Sequence, residues 1–422
     1  MGVLPRILFK LVPIVILELA ITVTSVWFLT DSDRLKFGSW PIAEWLINYQ
    51  SGFVRRGFMG EMLFRFGSGT LLPQWVYWQT YIFYITYCLL FLSIYFLAKI
   101  KNTYVLILAL LLPGGIFQMG MTIQFFTRKE MVFLLLYSVI CFLYLLANRA
   151  HGEKKKAYLI TTFICAIIGG IASTLTHEAY LFMGYPLTAI LLWVVLKENK
   201  GIGLYRKLWW LYALIIPTLF LLCSTFHGTP EMAQTIWDSL SLRDREYLSP
   251  TAPYTVFGPI ASIGWGLQEH LLTIYGIFAT GAWVYWPIFF IGNGLVLLFI
   301  IARLRMQLGL QKNSYYFVLC VGAVLSSFMF LIAADWGRWL AFLGNSIILL
   351  SFTLTKSVYV SQSTSQKTVA LHGSYPHSFL NRNIRVLFFF SIIYELIFRL
   401  PECCMNAEYL FMPYDKFLKA FL

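Results

Sequence analysis

The chain has 422 residues, of which 59% are hydrophobic, 18% aromatic and only 12% charged, with a mean hydropathy of +0.72. A water-soluble domain of this length cannot hide so much apolar surface, which excludes an ordinary soluble enzyme. The net charge of +13 is not gathered on a polar surface segment, so no nucleic-acid partner is expected.

In chain order, apolar runs close to the roughly 20 residues a spanning helix needs fall at 7–30, 76–98, 103–123, 130–148, 157–175, 179–196, 208–225, 283–302, 314–333, 338–355 and 386–400. They predict an all-α, polytopic membrane protein of about eleven transmembrane helices, organised as a single domain over 1–422. The first run is long enough to span, and no small-residue cleavage site follows it, so it reads as a helix rather than a signal peptide. The stretch 255–282 is apolar but carries Gly258, Pro259, Gly264, Gly266 and Gly276, and is expected to dip into the membrane without crossing. Seven cysteines show no metal-ligand spacing, and those in apolar runs read as packing residues.

Basic loops set the orientation. With the N-terminus inside, "NRAHGEKKKAY", "KENKGIGLYRK", "RLRMQLGLQK" and the loop 356–385 are cytoplasmic, and that side holds 19 of the 32 Lys and Arg. The opposite side holds 15 of the 19 acids, so most of the net charge is a topology signal. Two long loops, 31–75 and 226–282, are then external and are expected to carry amphipathic or re-entrant helices.

The unusual polar words all fall on that external side. "GFVRRG" contributes Arg55 and Arg56. "TRKE" contributes Arg128, Lys129 and Glu130. "THEA" contributes His177 and Glu178, "RDRE" contributes Arg243, Asp244, Arg245 and Glu246, and "DWGRW" contributes Asp335 and Arg338. Charges held at a membrane boundary are costly and tend to pair or to mark a site. Each word also has a plainer reading: arginines gripping lipid headgroups, a solvated turn, or an interfacial aromatic belt with a snorkelling arginine. The coincidence of side favours a shared external chamber roofed by the two long loops.

Arginine forks match phosphate oxygens in bidentate geometry. A chamber of this kind at headgroup depth suits a polyprenyl-phosphate or polyprenyl-diphosphate saccharide, with its tail among the spans. Aromatic residues in "KFGSWPIAEWLINYQ" and "GAWVYWPIFF" suit stacking on sugar faces. Glycosyl transfer needs a base for the acceptor hydroxyl and cations for the departing phosphate. Candidates for the base are Glu178, His177, Asp335, Asp31, Asp33 and Glu44. Those for the phosphate are Arg55, Arg56, Arg128, Arg243, Arg245 and Arg338.

The layout and the set "GFVRRG … TRKE … THEA … DWGRW" resemble the GT-C superfamily of integral-membrane glycosyltransferases, including bacterial O-antigen and capsule polymerases. Arg56 and Gly67 also have the Arg-x10-Gly spacing of one kind of O-antigen polymerase, although there it lies in later loops. The resemblance implies a bacterial inner-membrane enzyme with a periplasmic working face. It further implies a polyprenyl-linked saccharide donor, a saccharide acceptor, and a catalytic acid in the first external loop, where Asp31, Asp33 and Glu44 lie. Within it, Arg55 and Arg56 are expected on the diphosphate, Arg338 as a second phosphate contact oriented by Asp335, and Glu178 or His177 as acceptor base. No cofactor is expected, beyond a divalent cation near Asp31 and Asp33 in a transferase version. A lipid-linked saccharide flippase or transporter and a membrane O-acyltransferase using His177 are the rival expectations.

Overall fold

In a computed structural model of the full chain, residues 39–67, 69–121, 123–199, 203–308, 312–357 and 384–401 are described. All regular elements among them are helical. Seven stretches are long and apolar enough to cross a membrane: Leu72–Leu97, Thr103–Gly120, Gly152–Thr176, Gly203–Thr225, Trp283–Arg305, Tyr315–Ile332 and Trp336–Leu354. Met131–Ala147 and Val386–Ile397 are shorter apolar helices. The chain is therefore a polytopic helical membrane protein. The expected span 7–30 lies outside the described residues, as does most of the loop 356–385.

The helices used below are α1 (Ser39–Trp45), α2 (Phe58–Phe66), α3 (Leu72–Leu97), α4 (Thr103–Leu111), α5 (Ile116–Met121), α6 (Met131–Ala147), α7 (Gly152–Thr176), α8 (Tyr185–Glu198), α9 (Gly203–Thr225), α10 (Pro230–Ser239), α11 (Leu242–Leu248), α12 (Leu267–Ala279), α13 (Trp286–Leu308), α14 (Lys312–Ser327), α15 (Trp336–Leu354) and α16 (Ile384–Ile397). The stretch expected as one span at 179–196 is instead a turn at Tyr180–Met183 followed by α8, with the break at Gly184. There Pro186 sits in the first turn of α8, where its missing N–H costs nothing. A Cβ at Gly184 would lie 2.2 Å from the Tyr180 ring. The stretch 255–282 forms only short helices, and no membrane-length helix falls in it.

Helix α15 is buried along its whole apolar length, whereas α9 is mostly exposed and faces outward. The bundle is thus built around α15, with α3, α6, α8, α13 and α14 packed on it. One crossing is broken. Between α4 and α5 the chain passes through Pro113 and Gly114, whose φ of +80° is left-handed. A side chain at Gly114 would meet Ala341 of α15 at 2.6 Å. Backbone groups freed inside an apolar bundle need partners. Here the Asn345 amide donates to Gly114 O at 2.9 Å, Asn293 donates to Pro113 O at 3.0 Å, and Gly114 N donates to Gln118 Oε1 at 2.5 Å.

At one end of the bundle the two long loops form a cap with its own core. Ile42, Trp45, Leu46, Ile47, Val54 and Leu63 from the first loop pack with Ile236, Trp237, Leu240, Leu248, Ile260 and Ile263 from the second. Gly60 lets α2 close on the backbone of α1's exit, since a Cβ there would lie 1.9 Å from Ile47 O. The cap is stitched to the bundle by the Asp244 carboxylate, which accepts Leu72 N at 2.8 Å. That places an anion at the N-terminus of α3, where the helix dipole favours it.

Candidate functional site

Beneath the cap, the words that the sequence scattered come together. Arg56 forks onto Glu178: Nη2 donates to Oε1 at 2.6 Å and Nε lies 3.0 Å from both carboxylate oxygens. Arg56 Nη1 is also 3.5 Å from Glu44 Oε1. Glu44 in turn meets His177 Nε2 at 3.3 Å and Arg128 Nη1 at 3.5 Å. Arg338 Nη1 reaches Glu130 Oε1 at 3.0 Å, and its other terminal nitrogen donates to Asp335. The Arg338 guanidinium lies over the Trp339 ring at 4.6 Å. His177 Nε2 also lies 3.9 Å from Glu130 Oε1, and with Arg55 and Lys129 beside them five basic side chains, four carboxylates and one imidazole form a continuous network fed by α1, the Arg55–Arg56 turn, the segment before α6, the turn after α7 and the start of α15.

Local structure explains how each group arrives. Arg56 adopts a left-handed φ of +66°, a conformation disfavoured for a side-chain-bearing residue. Lys129 Nζ donates to Arg56 O at 2.6 Å and holds that turn. The next residue, Gly57, tolerates the contact that results, because a Cβ there would sit 2.2 Å from Tyr49. Glu130 and Asp335 directly precede α6 and α15, so helix N-termini help to hold both acids. The Trp45 indole donates to Thr127 O at 2.6 Å and locks the cap onto this segment.

The two adjacent arginines have different duties. Arg55 is spent on backbone: Nε donates to Ile263 O at 3.2 Å and Nη2 to Trp265 O at 2.6 Å, while its own N–H donates to Phe226 O at 2.9 Å. It ties the first loop to the second and touches Glu178 only at 3.4 Å. His177 is also committed. Its Nδ1 accepts from Ala179 N at 3.1 Å, and its Nε2 faces Glu44 at 3.3 Å.

Burial sets the electrostatics. It pushes the Glu178 carboxyl up, but the charges of Arg56, His177 and Arg55 outweigh it and hold the group well below the usual range. Glu44 behaves alike: burial opposes ionisation, and His177, Arg56 and Arg128 overcome it. Burial pushes the Lys129 ammonium down to about 7, against the attraction of Glu44. Such depressed carboxylates make weak bases, so Glu178 and Glu44 are suited to orienting cations rather than taking protons. The network is not uniformly buried. The Asp335 side chain keeps 27% exposure and Arg56 and Glu178 keep 14% and 13%, whereas Glu130 has none.

Of the residues picked out in sequence, Arg55, Arg56, Arg128, His177, Glu178, Asp335, Arg338 and Glu44 are brought together. Arg245 is not: it pairs with Asp238 at 3.0 Å and lies over the Tyr254 ring, both within the second loop. Arg243 is exposed. Asp31 and Asp33 lie outside the described residues. Among the described residues no group of three or more His, Cys, Asp or Glu is placed to hold a metal ion. Sequence reasoning passed over His270 on α12, which lies within electrostatic reach of Arg55, Arg56, Glu178 and Asp335. A histidine at the inward position of an amphipathic helix was the available signal. No family model, curated protein or solved structure matches the chain.

Proposed function

We propose that this protein is a membrane glycosyltransferase or repeat-unit polymerase that takes polyprenyl-phosphate or polyprenyl-diphosphate saccharides at the cap end of the bundle. The observation that carries the reading is the convergence of five charged segments into one buried network whose most exposed side chains, among the described residues, are those of Asp335, Arg56 and Glu178. A phosphate headgroup entering there competes with Glu178 for the Arg56 fork and with Asp335 for Arg338, a bidentate exchange that guanidinium geometry favours. Glu178 and Asp335 orient these two cations, and His177 supports the network through Glu44. The resemblance to GT-C enzymes supports the same reading. It carries with it about eleven spans by the length rule, a bacterial inner-membrane location and a cap facing the periplasm. The broken crossing at Pro113–Gly114 is the feature a transporter would use, but Asn345, Asn293 and Gln118 already satisfy its backbone groups.

The test is polysaccharide assembly in membranes carrying Arg56→Ala or Arg338→Ala. Removing a cation that stabilises the departing phosphate should lower transfer by roughly 10²–10³-fold and shorten the polymer. Variants that insert and fold normally yet leave chain length and transfer rate untouched would sink the reading.

A further inference from the structure

Each carboxylate of the network meets a cation, and His177 Nδ1 accepts from backbone. His270 is different. It stands on α12, whose inward side is formed by His270, Thr273, Ile274 and Ile277 and whose outward side exposes Leu267, Leu271, Leu272, Tyr275 and Phe278. This alternation at helical spacing describes an amphipathic helix, and it packs on the turns Ala282–Tyr285 and Met329–Ile332, the latter just before Asp335.

Both ends of α12 are fixed to the site. Just before its N-terminus, the Trp265 carbonyl accepts from Arg55, and the Trp265 ring meets His270 edge-on with centroids 6.2 Å apart. Near its C-terminus, Phe278 packs against Trp336 at 6.0 Å, next to Asp335. The half-buried His270 imidazole makes no hydrogen bond among the described residues. Glu269, the acid beside it on the same helix, is engaged by Gly266 N at 2.8 Å.

We propose that α12 covers the network between Arg55 and Asp335 and that His270 is the base that activates the acceptor hydroxyl; this rests on the transferase reading above. In the step, a His270 ring nitrogen takes the hydroxyl proton as the acceptor oxygen bonds to the anomeric carbon. The bond from that carbon to the phosphate oxygen breaks, and its electron pair leaves on the phosphate, whose charge Arg56 and Arg338 hold. Burial and the nearby Arg56 and Arg55 lower the imidazole's affinity for protons, while Glu178 and Asp335 oppose them. His270 is therefore neutral and able to accept a proton at neutral pH.

Two measurements on the full chain in nanodiscs test the proposal, using His270→Gln beside wild type and Arg56→Ala. One is binding of undecaprenyl phosphate, followed by tryptophan fluorescence. The other is transfer from lipid-linked saccharide extracted from host membranes, followed from about pH 5 to 8 across the imidazole range. His270→Gln should bind the lipid phosphate within about twofold of wild type. It should lose roughly 100-fold or more in transfer, the scale of a general base, and should lack the wild-type fall in rate at acid pH. A variant with wild-type rate, or with the acid limb intact, overturns the assignment of His270 while Arg56-dependent binding leaves the transferase reading in place. Absence of undecaprenyl phosphate binding by folded wild-type protein overturns both.

Discussion

Two arginine-rich words look alike in the sequence and end in opposite places. "VRRG" delivers Arg56 into a buried network where its fork meets Glu178 at 2.6 Å. "RDRE" leaves Arg243 and Glu246 exposed, gives Arg245 a neighbour in Asp238, and buries only Asp244. The words share residue types and, under the expected topology, the same side of the membrane. What differs is what they pack against. The first turn is pressed between the cap core and the ends of α6, α7 and α15. The second lies on α11, an outer helix of the cap. The position of a charge relative to two apolar cores decides whether it is structure, solvent or site.

The largest expected break in this comparison is Glu178→Ala. It strands the Arg56 guanidinium in a buried setting, and losing one partner of a buried pair costs about 3–5 kcal/mol. Denaturant or thermal unfolding in detergent should show it, and Asp238→Ala, which releases the exposed-side partner of Arg245, should stay below about 1 kcal/mol. If both variants lose equal stability, the network is not the buried unit described here.

A second test concerns pH. In the unfolded chain Lys129 titrates near 10.4, and in the fold near 7. Between these values the unfolded state holds the extra proton, so stability rises with pH across that window. Lys129→Met should flatten this rise, read from unfolding midpoints at successive pH values. It should also free the Arg56 turn, seen as faster local hydrogen exchange. A slope unchanged in the variant would assign the pH dependence to other groups.

The smallest contrast lies inside "RDRE" itself. Asp244→Ala removes the acceptor for Leu72 N and the Ser241 hydroxyl and should cost about 1–2 kcal/mol, as loss of a helix cap does. Arg245→Ala should cost less than about 1 kcal/mol and leave polysaccharide assembly unchanged. Equal losses, again from unfolding curves, would erase the distinction.

Much of this was legible in the chain. Apolar run length located the seven membrane-length stretches among the described residues, because a bilayer imposes one dimension on every span. The expected sidedness put Arg56, His177, Glu178, Asp335 and Arg338 in one group with Arg243 and Arg245, since residues confined to one end of a bundle have few places to go, and the structure brings together the first five but not the last two. Other features were hidden. Nothing in "RR" distinguishes the arginine that ties two loops by their carbonyls from the one that meets Glu178, because backbone partners leave no trace in composition. The break at Gly184 was missed because a continuous apolar run does not report the close approach of Tyr180. His270 was overlooked because a single histidine in an apolar segment gains meaning only once its helix is seen tied to Arg55 at one end and packed on Trp336 at the other.

The cap has a consequence for biogenesis. Its halves come mainly from 42–76 and 232–263, with every helix from α4 to α9 and most of α3 between them. During synthesis, Ile42, Trp45 and Val54 wait for the second half of their core until that whole stretch has been inserted and the second loop delivered to the same end of the bundle. The ion cluster waits longer, because Arg338 is made later still. Such long-range closure is slow, and the nascent chain meanwhile presents an apolar face and unmatched charges of the kind that chaperones and membrane proteases recognise.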